Sequence, residues 1–356
     1  GRSFWILDDL TQLRQVPDIE GIDSPRMLQP RDTIRITAPF RNRKAVEGKN
    51  YQLSLGAAVT YTEDKNPYGE VERSFLDAGQ NPPTGVLLNY FLPEQTNDEV
   101  SLTFLDQSGV EIITYSNNVE DALSPKAEGD QLSIASNIGM NRFIWDMRYP
   151  PANSVPGDKT TEDRVVSGPI APPGTYTVVL KSSGTEHSKT FEIVKDPRIE
   201  ATQKDLEDQF SLLLSIRDRL SETHDSINRI RSVRSQVGEW AQRAIGHSSE
   251  GLVTEAAKKI TDKLSMIEGE LIQTEYQGAR DRLNLPSRLN SKLSEITSVV
   301  SAGDFAPTRQ SYEVFQVVSD EIEPHLVTLQ TTIDEDVSEF DNLVHELGIP
   351  AIVGRP

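Results

Sequence analysis

Asp8 and Asp9 are the carboxylates in this chain that most invite a chemical role. They close the apolar run Ser3-Phe4-Trp5-Ile6-Leu7. Paired carboxylates cleave glycosidic bonds when they flank the bond from two sides. Neighbours on an extended strand point to opposite faces, so this pair is expected to form turns and accept hydrogen bonds instead. The five histidines are scattered as His187, His224, His247, His325 and His345. None stands in an H-E-x-x-H or paired-helix-face arrangement, so no transition-metal site is expected. His224 reads as a packed or rim residue on a helix face. No G-x-S-x-G elbow, P-loop or G-x-G-x-x-G fingerprint occurs. With no cysteine in the chain, disulfides, thiolate metal sites and cysteine nucleophiles are excluded. The reading therefore assigns no catalytic, metal-binding or cofactor-binding residue. Trp145 and Tyr176 are expected in a β core rather than on a sugar-stacking platform.

The charge balance narrows the partners. Lys and Arg number 36 against 55 Asp and Glu, a formal net charge of −19. DNA, RNA and anionic membranes would be repelled. No apolar run approaches the roughly 18 residues that a membrane-crossing helix needs. Lys204-Asp205, Arg217-Asp218-Arg219, Lys258-Lys259 and Asp334-Glu335-Asp336 read as solvated helix faces.

The elements that would position these residues change character near Asp196-Pro197-Arg198. Before it, turn signals separate short alternating segments. Val86–Leu92, Glu99–Asp106, Val110–Tyr115 and Gly139–Asp146 read as strands, and Thr175–Leu180 with Lys189–Val194 reads as a hairpin closed by Ser182-Ser183-Gly184-Thr185. After it, apolar residues recur at helical spacing. Leu206 to Ala241, Val253 to Leu271, Leu289 to Val300 and Tyr312 to Leu343 each mark one face. Thr202 is the expected N-cap of the first helix, with Asp205 in the capping-box position. Pro324 is expected to kink the last, and Gly348 to end it. The fold expected is α+β and multidomain: an antiparallel immunoglobulin-like β-sandwich at 51–198, then an antiparallel four-helix bundle at 199–356. Residues 1–15 are read as an apolar strand and 16–50 as a proline-bearing linker with a short edge strand at Thr33–Thr37. Residues 51–83 read as a long loop. Such a loop either presents Tyr61 and Tyr68 for docking or straps a sheet edge.

Several stretches resemble one family. Gly1–Asp9 resembles the closing strand of bacterial sortilin-like (VPS10-like) BNR/Asp-box β-propeller proteins, often labelled glycosyl hydrolases. Phe75–Pro83, Asn141–Pro150, Ala171–Tyr176, Ser301–Thr308 and Gln310–Phe315 are similar to that family's C-terminal region, in the same order. The resemblance implies that a propeller precedes residue 1, that Gly1 lies inside a longer protein, and that the protein is exported to the periplasm or beyond. No S-x-D-x-G-x-x-W box occurs here, so no propeller site residue carries over. A fold label alone does not establish hydrolysis. Three functions are therefore expected to compete. The chain is a non-catalytic accessory region contacting its own N-terminal propeller, a protein or a polysaccharide. Or it belongs to a glycoside hydrolase whose carboxylates lie in the propeller. Or it is a helical dimerisation module.

Overall fold

The computed structural model describes residues 9–19, 21–36, 48–54, 57–65, 71–76, 84–94, 98–118, 134–161, 168–278 and 280–349. The chain is α+β, with several antiparallel sheets followed by helices. It divides into two compact units. A β unit takes Gly1–Pro150, Gly168–Phe210 and Gly303–Ala306. A helical unit takes Pro151–Ser167, Ser211–Ala302 and Pro307–Pro356. The units thus depart from a boundary at 198/199: the first turns of the long helix and a four-residue turn go with the strands, and 151–167 goes with the helices.

The strands are β1 (Arg26–Met27), β2 (Thr33–Arg35), β3 (Asn50–Ser54), β4 (Ala57–Lys65), β5 (Val71–Phe75), β6 (Val86–Leu92), β7 (Ser101–Leu105), β8 (Glu111–Ser116), β9 (Gly139–Trp145), β10 (Gly174–Ser182) and β11 (Thr185–Lys195). They form sheets in the orders β1-β6-β9, β2-β11-β10-β7-β8 and β3-β4-β5. Pairing is antiparallel except that β2 runs parallel to β11, with Thr33 opposite Ile193. Burial alternates along β6, where Val86, Leu88, Tyr90 and Leu92 are buried. The same period places Phe143 and Trp145 of β9, and Tyr176, Val178 and Leu180 of β10, inside. These side chains make one core with Leu102, Phe104, Phe191 and Ile193. Trp145 is fully buried at its centre. Its ring stacks 4.4 Å from Phe104 and meets Tyr176 and Phe191 edge-on at 5.8 and 6.1 Å. Its indole N–H donates to the Arg148 carbonyl at 3.3 Å, so the burial leaves no polar atom unpaired.

Two expectations need correction. The segment 16–50 is not merely a linker: beside the expected edge strand, found as β2, it supplies β1. Met27 and Leu28 are buried, and Gln29 donates to the Thr190 carbonyl at 2.6 Å. Both strands lie at sheet edges, where neighbouring Pro25 and Pro30 cost no ladder hydrogen bond. The segment 51–83 is not one loop, because it carries β4, β5 and most of β3. The registers Tyr51–Thr60 and Tyr61–Phe75 join them into a meander. Charged Glu63-Asp64-Lys65 and the glycine- and proline-rich stretches between strands mask the alternation.

The first helix, α1 (Gln203–Arg243), whose first turns belong to the β unit and the rest to the helical unit, starts at a reciprocal cap. The Asp205 carboxylate accepts from the Thr202 N–H and hydroxyl, both at 2.8 Å, and the Asp205 N–H donates back to the hydroxyl at 3.2 Å. It is followed by α2 (Glu250–Leu271), α3 (Leu289–Val300) and α4 (Arg309–Thr331). The helix continues through Pro324 to a π-helical turn at Thr332–Val337 and then α5 (Ser338–Glu346). All of these helices contribute to one core that includes Ile216, Leu220, Ile227, Ile260, Leu264, Leu293, Ile322 and Phe340.

Replacing Trp145 with Ala is expected to cost about 3–5 kcal/mol. Gly85 has φ +134°, and a Cβ there would lie 2.4 Å from the Trp145 carbonyl oxygen. Gly85→Ala is therefore expected to cost about 2 kcal/mol or more. Urea midpoints read by circular dichroism at strand wavelengths check both. An unchanged midpoint for either variant contradicts this account of the core.

Candidate functional site

Among the described residues of the β unit, the most deeply buried charge pair centres on Arg35. It lies on β2 between the exposed Ile34 and Ile36, yet is only 5% exposed itself. All three guanidinium nitrogens have partners. Nε donates to the Ala171 carbonyl at 3.2 Å, Nη1 is paired with the Asp304 carboxylate, and Nη2 lies 3.5 Å from Gln209 Oε1. The buried Gln209 also donates through Nε2 to the Gly303 carbonyl at 2.7 Å. One charge thus gathers β2, the lead into β10, the first turns of α1 and the turn at Gly303–Asp304. Ala171 is tied further, since its N–H donates to the Met147 carbonyl at 2.7 Å. Beside it the Tyr149 N–H donates to the Pro169 carbonyl and Arg148 Nη1 to the Gly168 carbonyl. A Cβ on Gly168 would fall 1.6 Å from the Tyr149 carbonyl oxygen, so only glycine allows this approach.

The helical unit also pairs its buried charge. Glu268 on α2 has 4% of its side chain exposed and accepts from Arg231 Nε at 2.7 Å and Arg234 Nη1 at 2.6 Å, both on α1. Asp336, in the π-helical turn, is held by Lys263 and Lys259 of α2 at 2.5 and 3.3 Å. Hydrogen bonds from Lys263 lead in holding its carboxyl below the usual range. The sequence reading of Asp334-Glu335-Asp336 as a solvated face fails at Asp336, whose side chain is 11% exposed. Along α1, Lys204 pairs with Asp208, Arg217 with Asp218, and Arg219 with both Glu222 and Glu323.

Other residues singled out in the sequence are dispersed. Tyr61 is on β4, 4% exposed, its ring 5.8 Å from Phe75. It is a packed strand residue rather than the tip of a docking loop. Tyr68 and Asp8 lie outside the described residues. Asp9 accepts from the Thr11 N–H at 2.9 Å in a turn. Burial acts to raise its carboxyl, but the Thr11 bonds prevail and leave it lowered. Of the histidines, His187, His247 and His325 are half-buried, His345 is exposed and His224 is buried. Among the described residues, no group of three His, Cys, Asp or Glu side chains could hold a metal ion.

A solvent-open groove of about 410 Å³ on the helical unit is lined by Asp218, Ser221, Glu222, Asp225, Ser226 and Arg229. A second of about 350 Å³ shares Glu222, Ser226 and Arg229 and adds Glu323 and Leu326. Several of these carboxylates are already bonded to Arg219 or Asn153. No helix of the described residues is long and apolar enough to cross a membrane. No family model, curated protein or solved structure matches the chain.

The Arg35 cluster escapes a reading of the sequence because Arg35 and Asp304 are 269 positions apart. The available signal was an arginine set in the strand pattern Thr33-Ile34-Arg35-Ile36-Thr37. Truncating one partner of such a pair strands a buried charge, so Asp304→Ala is expected to destabilise the protein by about 3–5 kcal/mol. The double change Arg35→Met/Asp304→Leu should recover most of that loss, because no charge is then left without a partner. A double-mutant cycle by urea denaturation measures it, and strict additivity of the single changes would contradict the pairing.

Proposed function

We propose that this chain is a non-catalytic accessory region of an exported bacterial BNR propeller protein. It braces the propeller and supplies interdomain, protein or glycan contacts. The observation that carries this reading is the location of the residues behind the family resemblance. Asn141 is buried and bonds its own turn at Asn137 and Gly139. Trp145 centres the β core. Ala171 accepts from Arg35. Asp304, in the stretch Ser301–Thr308, pairs with Arg35. Thr308 caps α4 by accepting from the Ser311 N–H at 3.2 Å. Each is a pin of the architecture, which is what a bracing region requires.

The finer architecture belongs to the same proposal. The sheets β1-β6-β9 and β2-β11-β10-β7-β8 form an immunoglobulin-like sandwich, and the helices form a four-helix bundle. Both sheets feed the Trp145 core, which supports the first part. So does Tyr176, near the start of β10, whose hydroxyl donates to the Pro172 carbonyl at 2.8 Å. A tyrosine bonded back to the backbone just upstream is a corner feature of such sandwiches. The shared apolar core of α1 to α5 supports the second part.

The chain alone, incubated with a panel of polysaccharides, is expected to release no reducing sugar. Joined to the upstream coding sequence, it should raise the melting temperature of a propeller without changing that propeller's KM. Turnover by the chain alone would overturn the accessory reading, and an upstream sequence without repeated blades would remove the propeller.

A further inference from the structure

The stretch Ala152–Thr161 has no helix or strand of its own, yet it follows α1 turn by turn. The Asn153 N–H donates to Ser221 Oγ at 3.1 Å, and the Asn153 carbonyl lies 2.5 Å from His224 Nδ1. Asn153 Nδ2 donates to both Asp225 oxygens at 2.9 and 2.8 Å. Asn228 Nδ2 donates to the Ser154 carbonyl at 2.9 Å, and Arg231 Nη1 to the Pro156 carbonyl at 3.0 Å. Positions 221, 224, 225, 228 and 231 make one stripe of the helix. Between these anchors Val155 enters the helical core at 5% exposure. The far end is tied to α3: Asp158 accepts from Thr160 N and Oγ1, both at 2.7 Å, and Asn290 Nδ2 donates to Thr160 Oγ1 at 2.8 Å.

We propose that Ala152–Thr161 is a pH-gated strap, docked along α1 at neutral pH and released when the medium acidifies and His224 takes up a second proton. His224 is 3% exposed, and its buried Nε2 has no hydrogen-bond partner among the described residues. The neutral ring donates from Nδ1 to the strap carbonyl, and Nε2 bears no proton. Adding one places a charged N–H where no acceptor meets it, a cost relieved only when the ring reaches water. The strap holds the ring through the Asn153 carbonyl at Nδ1 and has no helix or strand of its own, so it is the element expected to move. The charged groups felt by the ring are the carboxylates of Asp158 on the strap and Asp225 on α1. On α1 the next charge along the stripe is Arg231, which holds Pro156 and Glu268. On α3 the strap meets the neutral Asn290. Burial pushes the His224 imidazole below its ordinary range, and the Asn153 carbonyl and the two carboxylates oppose this without prevailing.

The sign follows from linkage. A depressed folded-state value means that the docked state binds fewer protons than the open one. Docking is therefore complete above the ordinary histidine range and weakens as pH falls. This inference rests only on the helical unit and stands apart from the accessory reading.

Hydrogen exchange of the intact chain between pH 7.5 and 5, corrected for intrinsic rates, tests it. Protection of peptides spanning 152–158 should fall by up to about tenfold per pH unit below about 6.5, while β6 and β10 stay protected. His224→Gln keeps a donor to Asn153 but removes the titration, and its profile should be flat. A flat wild-type profile overturns the proposal. So does an equal pH response in the variant, or loss of protection in α1, α3 and the strap together. Should His224→Gln not fold, NMR titration of the wild-type ring decides: a value well under 6.5 supports the strap, and one at or above 6.5 overturns it.

Discussion

Taking an ion out of water costs several kcal/mol unless an opposite charge and hydrogen bonds replace the lost hydration. Arg35 meets that constraint with a carboxylate, a side-chain amide and a backbone carbonyl, one on each of its nitrogens. Its partners come from positions 171, 209 and 304, so the penalty of leaving any of them unmade holds distant parts of the β unit in one arrangement. The apolar core around Trp145 gives that unit its cohesion. The ion cluster specifies which segments close around it.

The same constraint explains where this acidic chain keeps its carboxylates. With a net charge of −19, most must face water, and many do so beside a lysine or arginine one helical turn away. Among the described residues, those that go inside are met by cations, Glu268 by Arg231 and Arg234, Asp336 by Lys259 and Lys263, Asp304 by Arg35 and Asp196 by Arg198. A carboxylate so engaged is poorly disposed to move protons for a substrate. The architectural reading of the chain draws on these pairings, and on the burial of aromatic rings as stacked partners rather than as exposed platforms.

Burial is less fully compensated at His224. It is buried with half of its polar valence unmet, beneath a segment that owes its place to side-chain contacts with one helix stripe rather than to a backbone ladder. Polar contacts of this kind are individually worth about 1 kcal/mol. A single proton in a desolvated site is energetically comparable with several of them, which is why a short irregular strap can respond to pH while the cores do not.

Much of the local structure was legible in the residues. The period-two runs at Val86–Leu92 and Gly139–Trp145, the hairpin at Gly174–Lys195, the Thr202/Asp205 cap and the four apolar helix stripes are statements about neighbours within a turn or a strand. Proximity along the chain determines them. β4 and its partners were obscured because their alternation is short and interrupted by charge. The short edge strand β2 was legible at Thr33–Thr37, but β1 was obscured because the prolines around it suggested a linker. Although His224 already read as a packed or rim residue, the partner of Arg35, the strap on α1 and the burial of Tyr61 were not legible locally. Each joins residues between about 14 and 269 positions apart, and which of many arginines meets which of many carboxylates depends on packing around two cores. Sequence periodicity decided the elements, and the tertiary structure decided which charges would be buried, because desolvation is a property of an enclosure and not of a residue.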